Sequence, residues 1–273
     1  IEGGIEALRA VNAELGLAMD EQDLAWCYNL FVNEWQRNPT DVEIYQIGQA
    51  NSEHCRHQFF KGRLVIDGEP MPMSLMELVK EPWQIKPGNS LIAFADDSSA
   101  IRVPWQIETL LSKRPSKPSE MAKTVCHYHP TLTAETHNFP SGVAPYPGAA
   151  TGTGGRIRDN LSVGRGGLMV AGGAGYCVGN LHLSDYEQPW EKDDWDHPRE
   201  LASPLEILIR ASDGASDYGN CIGEPVIYGI TRTFGQVLPD GYRAWFKPIM
   251  YTVGAGQIDE EHVKKIKPQR QML

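Results

Sequence analysis

Apolar residues recur at spacings of three and four through the first fifty positions and at shorter, strand-like spacings afterwards. The chain therefore divides into a helical opening and a mixed helix-and-strand remainder. Ile5, Leu8, Val11 and Leu15 predict a weakly amphipathic helix over 5–15. Asp20 is placed to cap a second helix whose apolar positions are Leu24, Cys27, Tyr28, Phe31 and Trp35, with Glu21, Asp23, Asn33 and Glu34 on the wet side. Asn38 and Pro39 end it. Thr40 and Glu43 have capping-box spacing ahead of a third helix over 42–49, which delivers the chain to Asn51, Ser52, Glu53 and His54.

From there the period changes. Residues 63–66 ahead of Asp67 and Gly68 predict a strand entering a turn, and 91–95 with 100–103 predict a strand pair around Asp97 and Ser98. Between them Ser74 and Glu77 offer another capping box, opening a short helix through Leu75, Leu78 and Val79. Residues 114–119, with two prolines, read as an exposed loop. A glycine-dense piece over 164–175 leads into a strand over 176–183, and 186–199 reads as a surface excursion. Residues 205–211 leave helix and strand equally open, whereas 248–253 read as a late strand. The basic tail has no recognisable closing element, so the chain reads as truncated.

Composition narrows the classes. At 273 residues and 41% hydrophobic, the chain can bury a sizeable core. A formal net charge of −10 argues against a dedicated nucleic-acid surface, though a small anionic ligand needs only a local cradle. No apolar run approaches the roughly 20 residues of a membrane span, and the first residues lack a signal peptide's basic region and apolar core, so the expected place is the cytoplasm. Five scattered cysteines without a CxxC pair indicate reduced thiols and no disulfide framework. His54, Cys55 and His57, and Cys126, His127 and His129, are each one pair short of the usual zinc spacing.

The candidate chemistry concentrates in 133–159, TAETHNFPSGVAPYPGAATGTGGRIRD. Gly148, Gly152, Gly154 and Gly155 read as a loop whose backbone could wrap a phosphate, or equally as a tight turn. The run has neither the Walker A lysine nor the dinucleotide fingerprint spacing. Glu135 and Asp159 could offer oxygen ligands to Mg²⁺, which bridges carboxylates to phosphates. For NSEHCRH at 51–57, a helix end with surface polar residues and a buried cysteine competes with an acid–base role.

Together, QANSEHCRHQFFKG, AETHNFPSGVAPYPGAATGTGGRIRD, VGRGG, AGYCVGNLHL, QPWE, DGASDYGN with GEP behind it, and KPIM resemble the large form of the phosphoribosylformylglycinamidine synthase family, in family order. Phe139, where many bacterial relatives have a second histidine, is similar to the eukaryotic variety. The resemblance implies an α+β fold: a small helical linker module over 1–60, a mixed-sheet ATP-binding domain of the aminoimidazole ribonucleotide synthetase N-terminal type over 61–235, and the truncated start of a partner domain over 236–273. It also implies that two such domains pair through their sheets, leaving a lone copy with an exposed edge or an apolar sheet face without its partner.

The implied activity is ATP-dependent conversion of formylglycinamide ribonucleotide to its amidine in purine biosynthesis. It passes through an iminophosphate and uses ammonia derived from glutamine. Carried over by position, the ATP-binding run is Gly148, Ala149, Ala150, Thr151, Gly152, Thr153, Gly154, Gly155, Arg156, Ile157, Arg158 and Asp159, with His57 near a nucleotide contact. Glu135 and Asp159 match magnesium ligands, Thr136, Asn138 and Arg158 substrate contacts, and His54 and His137 the catalytic histidines. The stretch 228–230 matches a further nucleotide-contacting strand. The remaining synthase domains and the glutaminase are the expected partners, and the chain alone is expected to be inactive. A catalytically silent scaffold, or another ATP-using member of the superfamily such as a selenophosphate synthetase or thiamine phosphate kinase, are the alternatives.

Overall fold

The computed structural model describes residues 3–51, 57–186, 188–191, 197–267 and 269. His54 and Cys55 therefore lie outside the described residues, as does part of the expected surface excursion. The chain divides between Pro87 and Gly88 into two units.

The first unit opens with α1 (Gly4–Leu15), closed by Gly16 at φ 61°. The Asp20 side chain accepts from the N–H groups of Gln22 and Asp23 to start α2 (Glu21–Asn29), and the chain continues through a π-helical turn over Leu30–Glu34. α3 (Asp41–Asn51) follows, its entry fixed by Thr40 and Glu43, which bond each other's backbone N–H. Leu8, Leu17, Met19, Leu24, Cys27, Phe31 and Ile44 form the core of these helices. α4 (His57–Lys61) leads to a hairpin of β1 (Val65–Ile66) and β2 (Glu69–Pro70). Its two-residue turn is possible because Asp67 and Gly68 take φ 52° and 86°. Ser74 and Glu77 then form the expected capping box at the start of α5 (Leu75–Ile85). The helical unit thus extends to residue 87 instead of closing at 60.

The second unit contains β3 (Ser90–Ile92), β4 (Ser99–Ile101), a hairpin of β5 (Ile107–Ser112) and β6 (Met121–Cys126), and β7 (Tyr128–Thr136). Next come α6 (Asn138–Val143), α7 (Pro145–Ser162), β8 (Leu168–Val178), α8 (Pro204–Ile222) and β9 (Val226–Thr233). A hairpin of β10 (Gly235–Leu238) and β11 (Gly241–Ala244) precedes β12 (Ile249–Asp259).

Six strands form one mixed sheet in the order β3-β4-β7-β12-β8-β9, with β8 and β9 parallel through the α8 crossover and the other neighbours antiparallel. The fold is α+β. β12 lies in the middle of the sheet, its Thr252 opposite Glu135 on β7 and Ala174 on β8. Residues 249–259 therefore complete this domain, which corrects the expected boundary at 236. A late strand can fill a central slot because sheet order does not follow chain order.

Alternation along β7 buries His129, Thr131 and Thr133 and exposes Pro130, Leu132 and Ala134. α7 and α8 pack on the buried face, where Ala149, Ala211 and Ala215 meet Ala174, Tyr176 and Met250. Small side chains let these layers approach closely. On the other face Ile101, Leu132, Leu168 and Val170 are exposed. No helix among the described residues is long and apolar enough to cross a membrane.

Candidate functional site

The glycine-dense run is not a loop. Residues 148–159 form the middle and C-terminal turns of α7, an 18-residue helix begun by Pro145. Backbone N–H groups in a helix interior are already bonded four residues back, so they cannot cradle a phosphate as the sequence suggested. Close packing explains these glycines instead. A Cβ at Gly148 would strike the Pro140 carbonyl, one at Gly152 would sit 2.8 Å from the His137 Cβ, and one at Gly154 would sit 2.6 Å from the Tyr218 ring. Gly155 differs, because its nearest neighbours, the Arg158 Nη2 and the Glu135 Cγ, would lie at 3.6 Å, an ordinary contact.

This packing sorts the expected nucleotide residues. Gly148, Ala149, Gly152, Thr153, Arg156 and Ile157 are buried, whereas Thr151 and Arg158 are exposed and Ala150, Gly154, Gly155 and Asp159 are half-buried. Arg156 is wholly enclosed. Its Nη1 contacts Glu224 Oε1 at 2.5 Å and its Nε donates to Thr252 Oγ1 at 2.9 Å, so it ties α7 to β12 and to the turn after α8. It therefore cannot serve as the nucleotide contact expected from the run.

The end of β7 and the start of α6 supply the rest. His137 N–H donates to the Met250 carbonyl at 2.9 Å, and Asn138 Oδ1 accepts the Met250 N–H at 2.9 Å. The junction is thereby pinned to β12. Asn138, expected at the substrate, spends its side-chain oxygen on this bond. The His137 ring packs toward α7, and its Nδ1 is buried with no hydrogen-bond partner among the described residues. Such an orphaned polar atom is costly unless a ligand meets it. Thr136, at the strand end, is exposed.

Glu135 and Arg158 flank Gly155, and Arg158 reaches the Asp159 carboxylate at 3.6 Å. The Asp159 carboxyl is held above the usual carboxylate range, mainly by burial; Asp97 adds to the rise and Arg158 opposes it. Ser162 Oγ donates to Asp97 Oδ2 at 2.8 Å, so this second acid sits at the same end of α7. In sequence Asp97 looked only like a turn residue. A pair of acids, one with its charge disfavoured by burial, fits a divalent cation shared with phosphate oxygens. His57 lies on α4 in the other unit, and 228–230 lie on β9, where Tyr228 is exposed.

Residues 8–58 match the formylglycinamide ribonucleotide amidotransferase linker domain family. The whole chain is 51% identical over 274 residues to a phosphoribosylformylglycinamidine synthase of Dictyostelium discoideum, of which it covers 20%. To the Homo sapiens protein of the same name it is 47% identical over 264 residues, 96% of this chain and 20% of that one. Among solved structures, Thermotoga maritima PurL complexed with ADP is similar at 19% identity and a TM-score of 0.48, over 89% of this chain and 28% of that chain. The chain spans about a fifth of the length of the curated relatives it matches. By sequence, the chain belongs to the phosphoribosylformylglycinamidine synthase family, as the counterpart of that fifth.

Proposed function

We propose that the chain is the part of an ATP-dependent amidine-forming ligase that holds Mg-ATP and the formylglycinamide ribonucleotide amide against the open side of α7, with ammonia from glutamine as the nitrogen source. The relatives' name supports this reading. So do Glu135 and Arg158 beside Gly155, His137 against Gly152, and Asp159 at 3.6 Å from Arg158. The observation that carries it is the buried His137 Nδ1, which has no hydrogen-bond partner among the described residues and whose side chain packs at Gly152, about one turn of α7 from Gly155, since a scaffold gains nothing from an orphaned imidazole nitrogen.

The chemistry assigns each group a task. Attack by the amide oxygen on the γ-phosphorus breaks the phosphoanhydride and expels ADP, and the amide N–H proton must leave for the iminophosphate to form. His137 Nδ1 is the base that takes it. Ammonia then adds to the carbon, inorganic phosphate departs, and the amidine remains. Arg158 neutralises charge on the transferring phosphoryl group. Glu135 and Asp159 would hold Mg²⁺, which would supply charge neutralisation to the reacting phosphates. Nucleotide recognition then rests on the residues of 148–159 with open surface, Thr151, Gly155, Arg158 and Asp159, and the buried ones set the helix. The role of His54 and a cytoplasmic location belong to the same reading.

Calorimetry with Mg-ATP tests the binding half, with Asp159→Asn expected to weaken binding at least tenfold. The chemical half is tested in the full-length enzyme supplied with ammonia: His137→Ala should lose turnover while the KM for ATP stays within a few-fold. Equal nucleotide affinity in Asp159→Asn, or wild-type turnover in His137→Ala, overturns the corresponding half.

A further inference from the structure

The loop that the sequence places at 114–119 is the tip of the β5–β6 hairpin, a two-stranded sheet separate from the six-stranded one. Lys113, Arg114 and Lys117 put three cations within five positions and no acid among them, on a chain whose formal net charge is −10. All three residues are exposed. The Arg114 carbonyl accepts the Lys117 N–H at 3.1 Å, which makes residues 114–117 a turn. Pro115 takes its second place, where a fixed φ suits the turn, and Ser116 its third.

The serines of this tip are not equivalent. The Ser112 and Ser119 hydroxyls lie 2.7 Å apart and close the base of the loop, and Ser119 Oγ also accepts the Arg114 N–H at 3.0 Å. Both are half-buried. Ser116 is exposed at the apex, and its hydroxyl has no hydrogen-bond partner among the described residues. Arg114 and Lys113 stand two and three positions before it. Ser212 also has an arginine two positions before it, but it lies in the middle of α8 and lacks the second cation.

We propose that Ser116 is a phosphorylation site for a basophilic protein kinase, the class whose acidic groove selects cations two and three residues ahead of the target hydroxyl. Extending residues 114–118 in such a groove gives up the turn bond and leaves the ladder through Ser112 and Met121 in place. Ser116 Oγ attacks the γ-phosphorus of the kinase's ATP, its proton passes to the kinase's base, the β–γ phosphoanhydride breaks and ADP leaves. The new phosphate carries a charge of roughly −1.5 to −2, which cancels most of the positive charge of the tip. Arg114 and Lys117 are its nearest donors in sequence, and Lys113 joins them by leaving Glu120, which it meets at 2.5 Å. This site is separate from α7 and does not depend on the ligase reading.

The test is to incubate the purified chain with Mg-ATP and the catalytic subunit of cyclic-AMP-dependent protein kinase, and to map the phosphate by mass spectrometry. Most of it should lie on Ser116, and Ser116→Ala should lose it. Arg114→Ala, with Ser116 in place, should lower kcat/KM for the chain at least tenfold, and an acidophilic casein kinase should leave the tip unmodified. Both variants alter exposed residues, so circular dichroism of each should match that of the parent chain. Phosphate mainly on Ser112, Ser119 or Ser212, an unchanged rate in Arg114→Ala, or modification of Ser116 only after the chain is unfolded in urea overturns the proposal.

Discussion

Arg156 and Glu224 form an ion pair with 2.5 Å between Nη1 and Oε1, and neither side chain reaches water. Gly172 on β8 and Gly254 on β12 make room for the guanidinium, because a Cβ at either would strike it. The pair therefore explains glycines in two strands as well as the inward turn of α7. Removing one partner leaves the other charged and buried, so Glu224→Ala should cost about 3–5 kcal/mol in urea unfolding. The double replacement Arg156→Met, Glu224→Leu should cost clearly less than the sum of its two single replacements, since it leaves no stranded charge. Additive losses would mean that the two groups are not coupled.

Gly148 sits where α7 passes the Pro140–Ser141 backbone, and the colliding atoms there are main chain that cannot rotate aside. Gly148→Ala should destabilise the second unit by about 1–3 kcal/mol, the usual cost of overpacking, although alanine is the better helix former. A melting temperature equal to that of the parent chain would show that the helix is less tightly seated than the structure has it.

In the first unit, Glu43 accepts hydrogen bonds from Arg37 and from the Thr40 backbone, and these hold its carboxyl down to about 2, the Arg37 bond contributing most. A folded-state value below the unfolded one means that the carboxylate stabilises the fold above the ordinary glutamate range and loses this contribution as pH falls toward 2. The melting-temperature gap between the parent chain and Glu43→Gln should be full above about pH 5 and shrink on acidification. Carbon NMR of the Glu43 carboxyl should show its midpoint rising in Arg37→Ala. A midpoint in the ordinary glutamate range in the parent chain would remove the argument.

Local chemistry was what the sequence could show. Asp20, Thr40 and Ser74 open the helices that their spacing announces, because a cap satisfies backbone donors within three residues. Asp67 and Gly68 make the turn they promise for the same reason. Long-range packing was hidden. GTGGRI reads as a loop by composition, and only the approach of His137 and Tyr218 turns Gly152 and Gly154 into helix contacts. The central place of β12, the burial of Arg156 against Glu224 and the presence of Asp97 beside Asp159 all depend on pairings far apart in sequence. Glu135, His137, Arg158 and Asp159 were legible as a group only because β7 and α7 follow each other closely.

Gly155 is the residue at which packing and the proposed function predict different things. It lies in the interior of α7, where glycine costs about 0.8–1 kcal/mol relative to alanine. Nothing in the fold demands it. An added methyl would find only ordinary contacts with Glu135 and Arg158 at 3.6 Å, and the backbone there is helical. Gly155→Ala should therefore raise the stability of the second unit by up to about 1 kcal/mol. The methyl would, however, lie against the Glu135 Cγ and the Arg158 Nη2, in the space the proposed function assigns to the nucleotide phosphates. Glycine is retained at the cost of helix stability where a ligand must come close to the backbone. Calorimetry with Mg-ATP on the same sample should then show binding weakened about tenfold while the melting temperature rises. A rise in stability with unchanged binding would place the phosphates elsewhere, and a fall in stability would show that Gly155 is needed for packing after all.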